Sequence, residues 1–233
     1  MTLESRLECL EIVTPDPANR SPVASVVVLH GLGADGSDFL PVARAMNLAG
    51  VGPVRFVLPS APARPVTRNG GYVMRAWYDL YPPSEEPASP RQEDVEGLRQ
   101  SRLMVQALLD REVERGIPSE RTVLMGFSQG CAMALLTGLR APRRLAGLVA
   151  LSGYLPLAEA TAAEAHPANR GIPVFMGHGD GDDIVDPARG RAARDALLDL
   201  DCRVDWHTYP MGHELCLDEV GDLNAWLQRV LAV

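Results

Sequence analysis

Apolar runs rich in β-branched residues alternate with helical patterns along most of this chain, and that alternation leaves few architectures open. The runs are Val23 to His30, Val54 to Leu58, Thr122 to Phe127, Leu145 to Ser152, Ile172 to His178 and Arg203 to Tyr209. Ser37 to Ala49, Gln92 to Gly116, Gln129 to Arg140, Pro187 to Leu200 and Leu217 to Leu231 repeat at helical spacing, with Gly116 past a last turn and Pro187 in a first. Strand alternating with helix lays successive strands parallel, so the expected fold is α/β, a mostly parallel sheet with helices on both faces. The 233 residues are 46% hydrophobic, enough for one substantial core, and a single domain spanning 1–233 is expected. Leu3 to Val13 reads as an antiparallel strand at the sheet edge.

Charge and composition remove several classes of function. Thirty acidic residues against 22 basic give a net charge of −8 with no basic patch, so nucleic acid is not an expected partner. All 22 basic residues are arginine. Schiff-base chemistry, a phosphate-loop lysine and a lysine general base are therefore excluded. Cys9, Cys131, Cys202 and Cys216 form no C-x-x-C pair and read as buried thiols. The chain has no signal-peptide core and no run of about 18 apolar residues, which predicts a cytoplasmic protein without integral membrane association.

One stretch breaks the rhythm. Pro59 to Pro90 holds seven of the 19 prolines together with Asn69-Gly70-Gly71 and the aromatics Tyr72, Trp77, Tyr78 and Tyr81, which no single regular element accommodates. A long loop of this kind reads as a lid or binding loop, or as an excursion that patches the sheet edge.

Gly126-Phe127-Ser128-Gln129-Gly130 joins the strand-like run Thr122 to Phe127 to the helix-like run Gln129 to Arg140. A chain that turns so sharply strains the serine backbone, lifts Oγ above the sheet edge, and needs glycine on either side for the strand and helix to approach. Ser128 is the expected nucleophile. A serine hydroxyl needs a general base, itself oriented by a carboxylate, and in this strand–turn–helix setting the order along the chain is serine, acid, histidine.

His213 lies in the loop Pro210-Met211-Gly212-His213 before the last helix and is the expected base, because His207 is held inside a strand and His178 ends one before the acidic cluster. The acid comes from Asp180, Asp182, Asp183 or Asp186, all in the loop after the Ile172 to His178 strand, where active sites of open α/β sheets assemble. Local chemistry does not separate these four, although Asp186 before Pro187 reads as a helix cap. The oxyanion of a tetrahedral intermediate needs two backbone N–H donors, assigned here to Gln129 and to Leu32 in the glycine-rich loop after the first core strand. A metal at His30 and His178 is not expected, for want of spaced ligands.

These segments, with Ser60-Ala61-Pro62, Pro65-Val66-Thr67, Trp77-Tyr78-Asp79, Leu151-Ser152-Gly153-Tyr154, His178 to Val185 and Tyr209 to Glu214, resemble the α/β-hydrolase family of bacterial carboxylesterases that also contains lysophospholipases and acyl-protein thioesterases. The resemblance covers Val23 to the C-terminus and implies the α/β-hydrolase fold. Its pattern H-G-x-x-D-x-x-V places the catalytic aspartate at the fifth position, here Asp182, and it agrees with Ser128, His213, Leu32 and Gln129 in their roles. It also implies that the loop around Val66 to Trp77 borders the acyl pocket, with Val73, Arg75 and Trp77 as lining residues. Arg75 departs from the family, which has proline near this point. A guanidinium beside the pocket would lose water when a long alkyl chain packs on it, so short acyl chains are favoured. The expectation is a serine carboxylesterase cleaving short- to medium-chain esters through an acyl-enzyme, with no cofactor or metal. The alternative is an acyl-protein thioesterase or lysophospholipase acting on long chains, and a more distant one a non-catalytic binding module. The partner is a small-molecule ester, a lipid or an acylated protein, and a homo-oligomer is left open.

Overall fold

The computed structural model describes residues 7–83 and 92–232. Seven strands form one sheet: β1 (Cys9–Val13), β2 (Ala24–Leu29), β3 (Val54–Pro59), β6 (Thr122–Phe127), β7 (Gly147–Leu151), β8 (Pro173–Gly179) and β9 (Arg203–Tyr209). Their order is β1-β3-β2-β6-β7-β8-β9. Only β1 runs antiparallel, pairing Cys9 with Pro59 and Val13 with Arg55. The expected edge strand is therefore present from Cys9, and the part of that expectation before Leu7 lies outside the described residues.

Among the described residues there are six α-helices, α1 (Leu40–Ala45), α2 (Val95–Glu114), α3 (Gln129–Arg140), α4 (Ala158–Glu164), α5 (Pro187–Asp199) and α6 (Leu217–Val230), of which α4 packs on α3. Pleating sorts alternate strand residues to opposite faces. Along β6, Leu124 faces a core layer shared with α2, α3 and α5, while Val123 and Met125 face a second layer shared with α1 and α6. Every residue of α3 is buried, as its all-round apolar sequence requires of a helix at the centre of a layer.

Caps set several helix ends. Asp94 accepts the Gly97 N–H at 2.9 Å at the start of α2, and Asp186 accepts the Ala188 N–H at 2.8 Å at the start of α5. Two expectations change. The helix expected over Ser37 to Ala49 is a 3-10 turn, Gly36–Phe39, followed by the short α1, which stops when Met46 turns extended. The Pro-rich stretch contains a hairpin of β4 (Ala63–Val66) and β5 (Tyr72–Arg75), with Gly70 and Gly71 at positive φ in its turn. Its residues 84–90 lie outside the described residues. Among the described residues no helix is long and apolar enough to cross a membrane.

Candidate active site

Ser128 stands between β6 and α3 with φ 56° and ψ −117°, a strained conformation for a residue with a side chain. Two glycines make the turn feasible. A Cβ on Gly126 would lie 2.1 Å from Gly130 O, and one on Gly130 would lie 2.1 Å from Leu29 O. The Ser128 N–H donates to Leu151 O at 2.9 Å, and its hydroxyl caps nothing in α3. Oγ is thus left for another partner.

That partner is His213, whose Nε2 lies 2.9 Å from Ser128 Oγ and whose Nδ1 lies 2.7 Å from Asp182 Oδ2. An ionised carboxylate only accepts, so Nδ1 carries the ring proton and Nε2 is left to accept from Oγ–H. The loops that bring them together are stitched to each other. Asp180 N–H donates to Tyr209 O at 2.8 Å and Gly181 N–H to Met211 O at 3.0 Å, fixing the turn after β8 against the turn after β9. Phe127 packs against the His213 ring at 4.8 Å between centroids.

Asp182 is the one carboxylate of its cluster turned inward. Its Oδ1 accepts N–H donors from Ile184 at 2.9 Å and Val185 at 2.8 Å. Burial pushes the carboxyl pKa up, but the His213 bond and the two backbone donors outweigh it and hold the group below the ordinary carboxylate value. Asp180 and Asp183 are exposed, and Asp186 is occupied as the α5 cap. His178, set aside from the sequence as a base, is buried behind the acid, with Nε2 2.9 Å from Val185 O and 3.4 Å from Asp182 Oδ2. Cys131, one helical turn beyond Ser128, is no rival nucleophile, because burial pushes its thiol pKa up to about 12.

Leu32 and Gln129 flank the serine, and neither N–H has an acceptor among the described residues. A Cβ on Gly31 would lie 3.4 Å from Ser128 Cβ, so the loop after β2 passes close to Ser128. Gly31 to Gly36 spells G-x-G-x-x-G after a strand, as a phosphate-binding turn would. Here the loop runs into the 3-10 turn Gly36–Phe39, and the Asp35 carboxylate caps that turn by accepting the Ser37 N–H at 2.8 Å.

Ser128 and His213 open into a cavity of about 960 Å³, walled by Leu32, Tyr78, Phe127, Leu155, Leu157 and Ile184 among others. The expected lining by Val73, Arg75 and Trp77 is corrected. Val73 is 60% exposed on the outer hairpin, and Trp77 is fully buried behind the wall. Arg75 points away, with Nη1 donating to Ala61 O at 3.0 Å and Nη2 paired with Glu8 at 3.0 Å. Val73 and Arg75 belong to a hairpin whose strands β4 and β5 pair with each other and not with the main sheet, and Trp77 lies beyond its end. The walls include residues missed in the sequence: Tyr154, whose hydroxyl lies 2.6 Å from that of Tyr78, and Arg189, whose guanidinium lies 3.5 Å over the Tyr154 ring. Tyr154 lies in the loop after β7 and Arg189 in the first turn of α5, both remote from Tyr78 in sequence, and only the aromatic content near Tyr78 hinted at them.

The chain matches the phospholipase/carboxylesterase family over residues 7–231. Acyl-protein thioesterase 1 of Neurospora crassa is 39% identical over 221 residues, covering 92% of this chain and 90% of that protein. Acyl-protein thioesterase 1 of Yarrowia lipolytica is 34% identical, covering 91% and 94%. The crystal structure of Zea mays acyl-protein thioesterase 2 superposes with a TM-score of 0.80 at 29% identity, covering 95% of this chain and 99% of that one. These relatives are fungal and plant thioesterases, so the narrower resemblance to bacterial carboxylesterases is not supported. With a match that spans nearly the whole chain, and with His213 and Asp182 joined to Ser128, the protein belongs to the phospholipase/carboxylesterase family of α/β-hydrolases.

Proposed function

We propose that this hydrolase cleaves long-chain acyl thioesters and esters through an acyl-enzyme on Ser128. One observation carries the chemistry: His213 sits 2.9 Å from Ser128 Oγ and 2.7 Å from Asp182 Oδ2, beside a cavity lined by apolar residues such as Leu155 and Ile184 and by charged ones such as Glu159 and Arg189. In the first step Oγ attacks the substrate carbonyl carbon while its proton passes to His213 Nε2. The carbonyl oxygen becomes an oxyanion, met by the Leu32 and Gln129 N–H groups, and Asp182 stabilises the imidazolium. The intermediate collapses by expelling the thiolate or alkoxide, which takes the proton from Nε2. Water then enters, gives a proton to His213 and attacks the acyl carbon, and a second collapse releases the carboxylic acid and restores the Ser128 hydroxyl.

The walls support the choice of long acyl chains. The argument for short chains rested on Arg75, and that guanidinium is engaged by Glu8 and Ala61 away from the cavity. A volume of about 960 Å³ lies near the top of the 300–1,000 Å³ range of small-molecule sites. Each buried methylene adds about 0.8 kcal/mol. The acyl-protein thioesterase names of the fungal relatives favour the same reading.

The test compares a palmitoyl-cysteine peptide, a long-chain lysophospholipid and p-nitrophenyl acetate as substrates, and labels the protein with a fluorophosphonate. Ser128→Ala should lose turnover by roughly 10⁶-fold together with the label. Unchanged hydrolysis in that variant removes the acyl-enzyme, and kcat/KM highest for acetate returns the assignment to a short-chain carboxylesterase.

A further inference from the structure

The parallel ladder between β2 and β6 ends at the pair Leu29 and Gly126, short of both His30 and Ser128. Beyond it, the segments carrying the Leu32 and Gln129 N–H groups have left the ladder, and a third segment joins them. Arg75 O accepts the Gly33 N–H at 2.9 Å, and Trp77 Nε1–H donates to His30 O at 2.9 Å. On the other side, Trp77 N–H donates to Gln129 Oε1 at 2.8 Å, and Gln129 Nε2–H donates to Tyr78 O at 2.8 Å. Trp77 and Gln129 are both buried, and Ser101 Oγ–H holds Trp77 O. His30 is fixed in turn: its Nε2 accepts the Ala61 N–H at 2.9 Å, so Nδ1 carries the proton directed to Gly31 O at 2.7 Å.

We propose that Trp77 is a positioning residue that sets the spacing of the Leu32 and Gln129 N–H donors. The proposal rests on the acyl-enzyme reading above and adds a residue that touches no substrate. Oxyanion donors act through preorganisation, and a displacement of about 1 Å at a reacting group costs roughly 10²-fold in rate. Trp77 is suited to prevent such a displacement because a rigid indole grips one donor segment while its own backbone grips the other. The Gln129 side chain, whose backbone carries one of the donors, completes the link by using its oxygen on Trp77 and its nitrogen on Tyr78.

The experiment replaces Trp77 by Phe and, separately, by β-(3-benzothienyl)alanine, which keeps the bicyclic shape and lacks the N–H. Active sites are titrated with a fluorophosphonate, so that kcat refers to each folded, reactive Ser128. In both variants kcat per titrated site should fall about 10- to 100-fold, with KM for the same ester within about twofold. Inhibition by a trifluoromethyl ketone, whose serine adduct carries the oxyanion, should weaken in parallel with kcat. Trp226→Phe, which removes a buried indole from the opposite core layer, should lower Tm without changing kcat per site. Unchanged kcat per titrated site in the benzothienyl variant overturns the proposal, as does a loss confined to the number of titratable sites. Wild-type protein that takes up no fluorophosphonate overturns instead the acyl-enzyme reading beneath it.

Discussion

Asp182, in the loop after β8, and Glu219, in the first turn of α6, are both buried carboxylic acids, yet their surroundings push them in opposite directions. Asp182 accepts from His213, Ile184 and Val185, and is held below the ordinary carboxylate value although its burial acts the other way. Glu219 is fully buried, and neither oxygen has a partner among the described residues. Burial first, and the negative charge of Asp222 second, push its pKa up to about 8. Room for it exists because position 177 is glycine, where a Cβ would fall 2.0 Å from Glu219 Oε1. Burial alone therefore does not decide whether an acid is charged; the donors aimed at it do. The first environment favours an anion beside the His213 ring, and the second favours a neutral acid inside the core.

The comparison breaks most sharply at the anion. Asp182→Asn leaves the packing nearly unchanged but presents an amide to His213 Nδ1, favouring the wrong tautomer, and should lower kcat by about 10⁴-fold. Steady-state kinetics on a p-nitrophenyl ester read this directly. If Asp183→Asn proves the more damaging change, the loop register drawn here is wrong.

Opposite pKa displacements also predict opposite pH responses of stability. Glu219 stays protonated in the folded chain after an unfolded one would have ionised, so its contribution is full below about pH 4.5 and is lost as pH rises to about 8. At roughly 1.4 kcal/mol for each pH step between those two values, the loss across that window is on the order of a few kcal/mol. Asp182 has the reverse sign: its contribution is present above its ordinary value of 3.8 and disappears as pH falls further. Urea unfolding of Glu219→Gln from pH 5 to 9 should therefore show a flatter pH dependence than the wild type, with kcat at pH 7 changed by less than about threefold. A slope identical to that of the wild type would mean that Glu219 is ionised in the folded chain.

The smallest effect is expected at the other histidine–carboxylate pair. His207 Nε2 lies 2.9 Å from Asp205 Oδ1, a spacing close to that of the active pair. The Asp205 side chain is 40% exposed, though, and shares its charge with Arg229 at 3.0 Å, while His207, in β9, stacks on Phe175 and turns its Nδ1 to a second carboxylate, Asp222, at 3.7 Å. Asp205→Asn should leave kcat/KM within about a factor of two and stability within about 1 kcal/mol. A larger kinetic loss would show that the pair on β9 communicates with the site.

Much of this architecture is legible along the chain because it depends on local chemistry. Strand and helix patterns alternate from Val23 onward, and parallel order follows from that alternation. Gly126, Ser128 and Gly130 mark a turn that only glycine-flanked residues can make, and His213 stands out because it alone of the later histidines occupies a loop beside the last helix. Asp180, Asp182 and Asp183, by contrast, are alike to any local rule, and only the resemblance to the family pattern names Asp182; the convergence of two stitched turns is what leaves it facing inward. The cavity walls came from tertiary structure for the same reason. Leu155, Ile184 and Arg189 meet Tyr78 only after distant loops and the start of α5 gather at the sheet edge, whereas Val73 and Arg75 lie in a hairpin that pairs only with itself and Trp77, beyond its end, is buried. Glu219 is the clearest case. An acidic residue in a first helical turn normally faces water, and only the packing of α6 against Gly177 of β8 makes it a buried, neutral acid.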